Sequence, residues 1–433
     1  MESFGDGGKG CGDKHVRGLL RTNNFHCNLA MKKDKLTVCK LATTFPWYKG
    51  DSRGRGTIYT LCRLLARAGL NVKVLAPLTP ISQHYEEMEK VQVYRFAYSP
   101  FRRFHLLNYP FAMYLNIRRK PFLVLLLPFF ILSFVLHGVK LARKCDVIHA
   151  HQLHCAIVGL IIKKYLKKPL VVTPWGTDIR TFPRWLSDWI FRHADLVTRP
   201  FPYSFTDIPG NTVVFHTSVI DEEEFGPHVD PTPFKKEFGI KDDDFVISFI
   251  GRLYEFKDPI TFVEAIPDIL HHIKNAKFLI VGDGPLRTLL ENKVKELGVE
   301  SYVIFTGKRA DIPQILRTSN IFVSLDITGN PGNTILAETF ASEVPAIVTE
   351  IPHGSSRYKQ APLKHLREAY LIPVKDKGAL VKAVIFLHDH PEIMENLVKY
   401  GKMWLLKHNR VSKTAIPYLV DLYFSLIRSK SKI

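Results

Sequence analysis

The sequence is poor in the signals that mark several classes of protein. Its six cysteines form no Cys-x-x-Cys pair, and none has a histidine at zinc-finger spacing, so no structural metal is predicted. Four of them lie in apolar segments, where cysteine acts as a small hydrophobe, and this usage favours a reducing compartment. No recognition module for nucleic acid is visible, and we do not expect nucleic acid as a partner.

The first 30 residues are rich in glycine and contain no apolar core of the kind found in a secretory signal. We expect residues 1–30 to form a disordered extension. The glycine-containing loop Gly50–Gly56 is not a dinucleotide-binding fingerprint either, because Tyr59 occupies the position of the third glycine. By itself, this loop is a weak signal for phosphate binding.

Positive charge, in contrast, is abundant. The 433 residues include 60 Lys and Arg against 41 Asp and Glu, a formal net charge of +19. This excess favours an anionic partner. Charge alone does not distinguish a phosphorylated ligand from an acidic membrane surface or nucleic acid, and a surface that only keeps the protein soluble is the simpler alternative. The length suits two domains, and a hydrophobic fraction of 46% is sufficient for packed cores.

The first half is predicted to alternate strands and helices. A buried strand is predicted at 36–42, a helix with apolar residues at helical spacing follows, and Gly69 ends it before the next strand. In such a unit the loop after the first strand lies at the carboxyl end of the sheet, where open α/β sheets bind ligands. Gly54 and Gly56 of this loop are therefore candidates for lining a cleft.

An unusual segment spans residues 101–144, where basic and aromatic residues surround the apolar run Pro121–Leu136. The run is shorter than the ~18–20 residues that cross a bilayer and contains Pro128, so a transmembrane helix is disfavoured. Basic and aromatic flanks suit contact with a membrane interface. A core helix with a solvated basic approach explains the segment equally well.

Polar residues follow two predicted strands later in this half. One strand ends at His151, and the next is followed by Trp175, Gly176 and Asp178. Because the carboxyl ends of parallel strands meet at one edge, we expect His151 and Asp178 to share a cleft. A purely structural histidine is the alternative.

Residues 226–240 contain several glycines and prolines amid mixed charge and form the candidate linker between domains. From Phe245 onward a second series of strands alternates with helices, so each half is predicted to contain a parallel sheet. We assign residues 34–228 to the first domain and 240–415 to the second. A C-terminal helix within 416–433 is expected to pack back on the first domain.

The stretch Asn330–Glu338 carries the strongest binding signal of the second half. It follows a predicted strand at 321–324 and contains a turn rich in glycine, asparagine and proline before an apolar helix. Free backbone N–H groups and the positive end of the helix dipole converge there, an arrangement that binds phosphate or carboxylate. Glu338 is expected on the first turn, where its carboxylate would accept hydrogen bonds from sugar hydroxyls. An ordinary strand-to-helix turn is the alternative.

Several short motifs of the second half occur in a recognisable order: Gly251-Arg252-Leu253, Lys257-Asp258-Pro259, Phe278–Pro285, Phe305-Thr306-Gly307 and Ser324–Pro345. In that order they resemble the retaining glycosyltransferases of family 4 (glycosyl transferases group 1), and the first half matches more loosely. The resemblance implies the GT-B fold, an α/β architecture in which two Rossmann-like domains with parallel sheets face an interdomain cleft. It also implies sugar transfer from a nucleotide-diphosphate sugar to a lipid-linked, polysaccharide or other glycan acceptor.

Roles follow from the resemblance residue by residue. Arg252 and Lys257 match the basic pair that holds the donor diphosphate and stabilises the leaving nucleotide, and Asp178 is placed with them in the catalytic set. Glu338 matches the glutamate that binds the donor ribose. The implied reaction retains the anomeric configuration and needs neither a metal nor a cofactor besides the donor. Further implied donor contacts are Gly251, Gly307, Lys308, Asn330, Gly332, Asn333 and Thr334, and the implied acceptor or cleft residues are Gly54, Gly56, His151, Trp175 and Gly176.

Two positions depart from the family pattern. Asn330 replaces the glutamate that contacts the transferred sugar, and Trp175 replaces a histidine near the reacting sugar. An amide still forms hydrogen bonds but has no charge, and a tryptophan stacks on sugars but cannot act as acid or base. The alternatives to an active hexosyltransferase are an inactive homologue that binds nucleotide sugar or glycan as a partner subunit, and a sugar-nucleotide epimerase. We expect a cytoplasmic enzyme that is peripheral on the inner face of the membrane.

Overall fold

The structure is a computed structural model, and it describes residues 36–51, 56–109, 113–174, 182–199, 211–214, 219–327, 334–350, 363–408 and 411–431. Contacts divide the chain into two compact units, one of residues 1–215 with 416–433 and the other of residues 216–415. The candidate linker at 226–240 therefore falls inside the second unit. Its short helix Thr232–Phe238 buries Phe234 in the core of that unit, because the segment has an apolar side chain as well as its glycines and prolines.

The first unit contains a sheet of eight strands among the described residues. In chain order these are β1 (Thr37–Leu41), β2 (Asn71–Pro77), β3 (Tyr85–Met88), β4 (Val91–Phe96), β5 (Val147–His151), β6 (Leu170–Thr173), β7 (Leu196–Arg199) and β8 (Thr212–Val214). Their spatial order is β3-β4-β2-β1-β5-β6-β7-β8. The central strands β5 and β6 are buried along their whole length, as expected for parallel strands covered on both faces.

The prediction of parallel pairing is correct for this sheet except at one edge. Strand β3 pairs antiparallel with β4, while the other neighbours are parallel. The two residues between β3 and β4, Glu89 and Lys90, both have positive φ angles, of 47° and 67°. Two consecutive residues in that region form the tight turn that joins antiparallel strands, so a hairpin ends the sheet here.

The described helices of the first unit include one supplied by the C-terminal end of the chain. They are α1 (Thr57–Arg67), α2 (Met113–Arg119), α3 (Leu127–Ala142), α4 (Leu153–Leu166), α5 (Arg184–His193) and α13 (Ser412–Ser431), the last of which joins this unit from Ile416 onward. A 3₁₀ segment, Pro121–Leu126, leads directly into α3.

The second unit contains six described strands, all paired in parallel, as predicted. They are β9 (Phe245–Ile250), β10 (Ala276–Val281), β11 (Val303–Gly307), β12 (Ile321–Ser324), β13 (Ala346–Thr349) and β14 (Tyr370–Ile372). Their spatial order is β11-β10-β9-β12-β13-β14. Strand β9 is central, so the loop that follows it lies between the loop after β10 and the loop after β12.

Helices connect these strands. The described ones are α6 (Thr232–Phe238), α7 (Pro259–His272), α8 (Arg287–Glu296), α9 (Ile312–Thr318), α10 (Thr334–Ala341), α11 (Lys377–Asp389) and α12 (Pro391–Lys407). Helix α7 begins with Pro259, and the side chain of Asp258 accepts a hydrogen bond from the backbone N–H of Thr261.

The helical segment that contains the apolar run of the first unit is longer than the run itself. The helical stretch Pro121–Ala142 has 22 residues, which by length and composition is enough to cross a membrane; an 18-residue part of it has a mean hydropathy of 2.5 and is 22% buried. Beyond Leu136 the helix includes His137, whose Nδ1 lies 2.9 Å from the carbonyl oxygen of Ser133, and Gly138, which packs closely against Ile162. The helical stretch is therefore longer than the apolar run Pro121–Leu136 from which a transmembrane helix was disfavoured.

A buried polar cluster joins helix α13 to the sheet of the first unit. The ammonium of Lys40 on β1 lies 2.8 Å from Nδ1 of His149 and 2.9 Å from the hydroxyl of Tyr423. That hydroxyl lies 2.6 Å from the same imidazole nitrogen. All three residues are fully buried, and burial lowers the pKa of Lys40 to about 8.

The stability of the first unit should rise between pH 7 and pH 9. Folded Lys40 has a lower pKa than its ordinary 10.5, so in this range the unfolded chain binds more protons and raising the pH favours the folded state. Between these pH values the free energy of unfolding should increase by about 1 kcal/mol more in the wild type than in Lys40→Met. Tryptophan fluorescence during urea unfolding would measure it, since four of the five tryptophans precede residue 216.

The matched control is Lys73→Met, at a partly exposed lysine on the neighbouring strand β2. This variant should keep the wild-type dependence on pH. An identical pH dependence in Lys40→Met and the wild type would show that the buried lysine does not titrate in this range.

Candidate active site

Three strand ends of the second unit, those of β9, β10 and β11, are joined by backbone hydrogen bonds. The N–H of Gly251, after β9, donates to the carbonyl of Val281 on β10, and the N–H of Gly282 donates to the carbonyl of Gly307 on β11. Gly282 has φ +133°, and a β-carbon there would overlap the carbonyl oxygen of Gly251. Glycine is required at this position because the two backbones touch.

Arg252 leaves this backbone at the end of β9 with its side chain exposed. Its guanidinium lies 5.5 Å from the ring centre of Tyr254 and 5.4 Å from that of Phe256. Cations are attracted to aromatic faces at these distances, so the two rings help to orient the arginine. Its N–H groups remain suited to bidentate bonding with phosphate oxygens.

Lys257 is held by a carboxylate that the sequence reasoning missed. Its Nζ lies 2.6 Å from Oδ2 of Asp326, and the side chains are only 18% and 6% exposed. Asp326 follows β12, and the N–H of Ile327 donates to the carbonyl of Phe256. The loops after β9 and β12 are therefore bonded together. In the sequence, Asp326 was indicated only by being an acidic residue shortly after the apolar strand predicted at 321–324.

The other described candidates for donor binding lie at the end of β11 and at the start of α10. Gly307 ends β11 with φ +69°, and the exposed Lys308 follows it. Thr334 is the first residue of α10, and Glu338 is the fifth, half-buried residue. Glu338 thus lies on the second turn and not on the first, because the helix already begins at Thr334.

Some predicted site residues lie outside the described residues. For these the structure adds no geometry, and their roles stay predictions. They are Gly54, Trp175, Gly176, Asp178, Asn330, Gly332 and Asn333.

In the first unit, His151 is the last residue of β5 and is fully buried. Its ring stacks on that of His149, with centres 4.4 Å apart. Burial, and then the nearby Lys40 ammonium, holds the pKa of His151 well below its usual range. The imidazole is therefore neutral at physiological pH. Gly56 is exposed immediately before α1, where its carbonyl accepts from Tyr59.

A second histidine at this strand end was missed. The hydroxyl of Thr43, after β1, lies 2.6 Å from Nε2 of His154 and 2.7 Å from Oε1 of Gln152. Burial lowers the pKa of His154 to about 4. The only hint in the sequence was a third histidine three residues after His151. The carboxyl ends of β1 and β5 thus present neutral polar groups.

Comparison with known proteins matches both units. A family model described as glycosyl transferases group 1 matches residues 231–404, and one described as Glycosyltransferase Family 4 matches residues 56–200. Together they leave unmatched only the two ends and residues 201–230. An Escherichia coli relative, UDP-Gal:alpha-D-GlcNAc-diphosphoundecaprenol alpha-1,3-galactosyltransferase, is 25% identical over an alignment of 318 residues that covers 66% of this chain and 77% of the relative.

Solved structures show the same fold. Sucrose-phosphate synthase from Thermosynechococcus elongatus aligns with a TM-score of 0.69 at 18% identity, over 91% of this chain and 100% of that one. Anabaena HepE in complex with UDP and glucose aligns with a TM-score of 0.64 at 15% identity, over 90% and 100%. The two units with their largely parallel sheets therefore have the GT-B fold, as predicted. The chain belongs to the group 1 glycosyltransferases.

The pair Lys257–Asp326 should be strongly coupled energetically. Because both side chains are largely shielded from solvent, removing one partner leaves the other charge poorly compensated. A double-mutant cycle of Lys257→Ala and Asp326→Ala should give a coupling free energy of about 1–3 kcal/mol, measured by urea unfolding followed by circular dichroism.

The control cycle uses Lys377 and Asp268, an ion pair of 2.8 Å in the same unit whose side chains are both exposed. Its coupling should be clearly smaller, because solvent screens the pair. Equal couplings in the two cycles would contradict a special role for the Lys257–Asp326 contact in joining the two loops.

Proposed function

We propose that this protein transfers a sugar from a nucleotide-diphosphate sugar to an acceptor, with retention of configuration and without a metal. The observation that carries the proposal is the pair of cations, Arg252 and Lys257, just beyond the end of β9, beside loops whose glycines let backbone groups approach closely. The HepE structure with UDP and glucose and the UDP-galactose named for the E. coli relative support a uridine nucleotide as the first choice.

Arg252 and Lys257 would bind the donor diphosphate and stabilise the charge that grows on the leaving phosphate. An ammonium has three N–H donors, so Lys257 can keep Asp326 as a partner and still donate to phosphate oxygens. Asp326 then fixes the direction of the lysine, which reduces the reorganisation needed when the donor binds. Gly307 and Lys308 would lie towards the nucleotide base, Gly251 would contact the donor, and Glu338 would bind the ribose.

In the proposed reaction, the bond between the anomeric carbon and the phosphate oxygen breaks while the acceptor oxygen bonds to the same carbon. The acceptor proton passes to the leaving phosphate on the same face of the sugar. This route requires no protein base, and it is compatible with the neutral imidazoles of the buried His151 and the half-buried His154. Asn330 and Trp175 would contact the transferred sugar through hydrogen bonds and stacking.

The acceptor class we propose is a lipid-linked saccharide. The support is the diphosphoundecaprenol acceptor named for the E. coli relative, together with the long apolar helical stretch Pro121–Ala142. A lipid-linked acceptor would place the enzyme in the cytoplasm, peripheral on the inner face of the membrane.

Nucleotide binding tests the phosphate assignment. Arg252→Ala and Lys257→Ala should each weaken UDP binding by about 10–100-fold in isothermal titration calorimetry, since a hydrogen bond to a charged group contributes roughly 1.5–3 kcal/mol. Lys377→Ala removes an ion-paired lysine of the same unit and should leave binding unchanged. If neither site variant weakens binding, the assignment of these residues to the diphosphate is wrong.

Turnover tests the reaction itself. We expect slow hydrolysis of one member of a panel of nucleotide sugars in the absence of acceptor, unaffected by EDTA, with the α-linked donor sugar first released as the α anomer by NMR. Release of the β anomer would contradict retention, and loss of activity with EDTA would contradict metal independence. Binding of UDP without turnover of any donor, with or without acceptor, would instead favour an inactive binding homologue.

A further inference from the structure

The helical stretch Pro121–Ala142 has two opposite faces of different environment. On one face Phe130, Phe134 and Gly138 are buried in the core of the first unit. The ring of Phe134 stacks on Phe96 of β4 with centres 4.5 Å apart, and Gly138 lets α3 approach Ile162 of α4 closely. This face holds the helix firmly against the domain.

The opposite face is apolar as well, yet it is exposed to solvent. Leu125, Phe129, Leu132 and Leu136 are 73%, 61%, 58% and 60% exposed. Their spacing of three or four residues puts them in one stripe along the helix. Single exposed apolar residues are ordinary on protein surfaces, but a continuous stripe of large ones marks an interaction site.

Exposed aromatic residues also lie on the neighbouring helices. Helix α4 packs between α3 and α5. Tyr165 on α4 is 66% exposed and has the guanidinium of Arg143 at 5.9 Å from its ring centre, while Trp185 on α5 is 72% exposed. Tyrosine and tryptophan are the residues enriched where protein meets the headgroup region of a bilayer.

The charge around the stripe has one sign. From Lys90 to Cys145 the sequence contains ten Lys or Arg and no Asp or Glu. Arg118, Arg119 and Lys120 precede the apolar stretch, Lys140 lies near its end and Arg143 follows it, and all five are exposed. A stripe of large apolar side chains with basic residues at both ends is complementary to an anionic lipid surface, which attracts such clusters electrostatically.

We propose that the surface formed by the α3 stripe, Tyr165 and Trp185 docks into the interfacial region of an anionic phospholipid bilayer, with the α3 axis in the membrane plane. The helix is long enough to span, but spanning would pull Phe130, Phe134 and Gly138 out of the domain core, whereas lying flat keeps them packed. This inference deepens the proposed function, because a docked enzyme would meet a lipid-linked acceptor at the surface where that acceptor is anchored.

Vesicle flotation with the full chain tests the proposal. Vesicles of equal parts phosphatidylcholine and phosphatidylglycerol should bind the wild type, high salt or alkaline carbonate should release it, and phosphatidylcholine alone should bind it weakly. Phe129→Gln with Leu132→Gln should weaken binding at least about tenfold, and Lys140→Glu with Arg143→Glu should remove the preference for anionic lipid. Quenching by brominated lipid should fall in Trp185→Phe.

The matched control is Met403→Gln with Leu406→Gln, two exposed apolar residues on α12 of the second unit, which should leave vesicle binding unchanged. Circular dichroism and the urea midpoint by tryptophan fluorescence establish that each variant is folded. If Phe129→Gln with Leu132→Gln binds as the wild type does, the docking surface is wrong; resistance of the wild type to carbonate would overturn the in-plane orientation in favour of spanning.

Two further outcomes separate this inference from the transferase function. A dimer in size-exclusion chromatography that dissociates in Phe129→Gln with Leu132→Gln, together with no vesicle binding, would overturn docking to lipid in favour of a second copy of this chain. Sugar transfer to a water-soluble acceptor without vesicle binding would overturn only the docking. Vesicle binding without turnover of any donor would support the docking and count against the transferase.

Discussion

The candidate site depends on how closely the backbones at the ends of β9, β10 and β11 approach one another. Gly282 makes that approach sterically possible, and two backbone hydrogen bonds then fix it. Arg252 starts from this fixed backbone, and Lys257 is aimed by a carboxylate from the neighbouring strand. The positions of both cations are therefore set before any ligand binds, which is what electrostatic stabilisation of a leaving phosphate requires.

The charged side chains at the strand ends of the two units have different environments. In the second unit, Arg252 is exposed and Lys257 shares the carboxylate of Asp326. In the first, the fully buried Lys40 lies against His149, and the adjoining His151 and the half-buried His154 are held neutral. The strand ends of the first unit therefore present neutral hydrogen-bonding groups. Such groups suit the recognition of hydroxyls better than the transfer of protons, which fits a reaction in which the leaving phosphate takes the proton.

Much of the second unit could be predicted from sequence because its strands are short apolar runs that end in glycine-containing loops, and the motif order fixed its family. The pairing of Lys257 with Asp326 could not, since a lone acidic residue 69 positions away has no pattern of its own. The buried cluster of Lys40, His149 and Tyr423 also escaped prediction, because Tyr423 is 383 residues from that lysine in the chain. The hairpin of β3 and β4 was missed because its turn contains no glycine.

The contribution of α13 to the first unit has a consequence for the order of folding during synthesis. The second unit is one continuous segment, whereas the first requires residues from both sides of it. Tyr423 emerges from the ribosome only after the whole second unit has been made, so until then Lys40 is buried without its phenolic partner or is still hydrated. The second unit is thus expected to reach its native state first, and the helix that ends the chain completes the domain that began it.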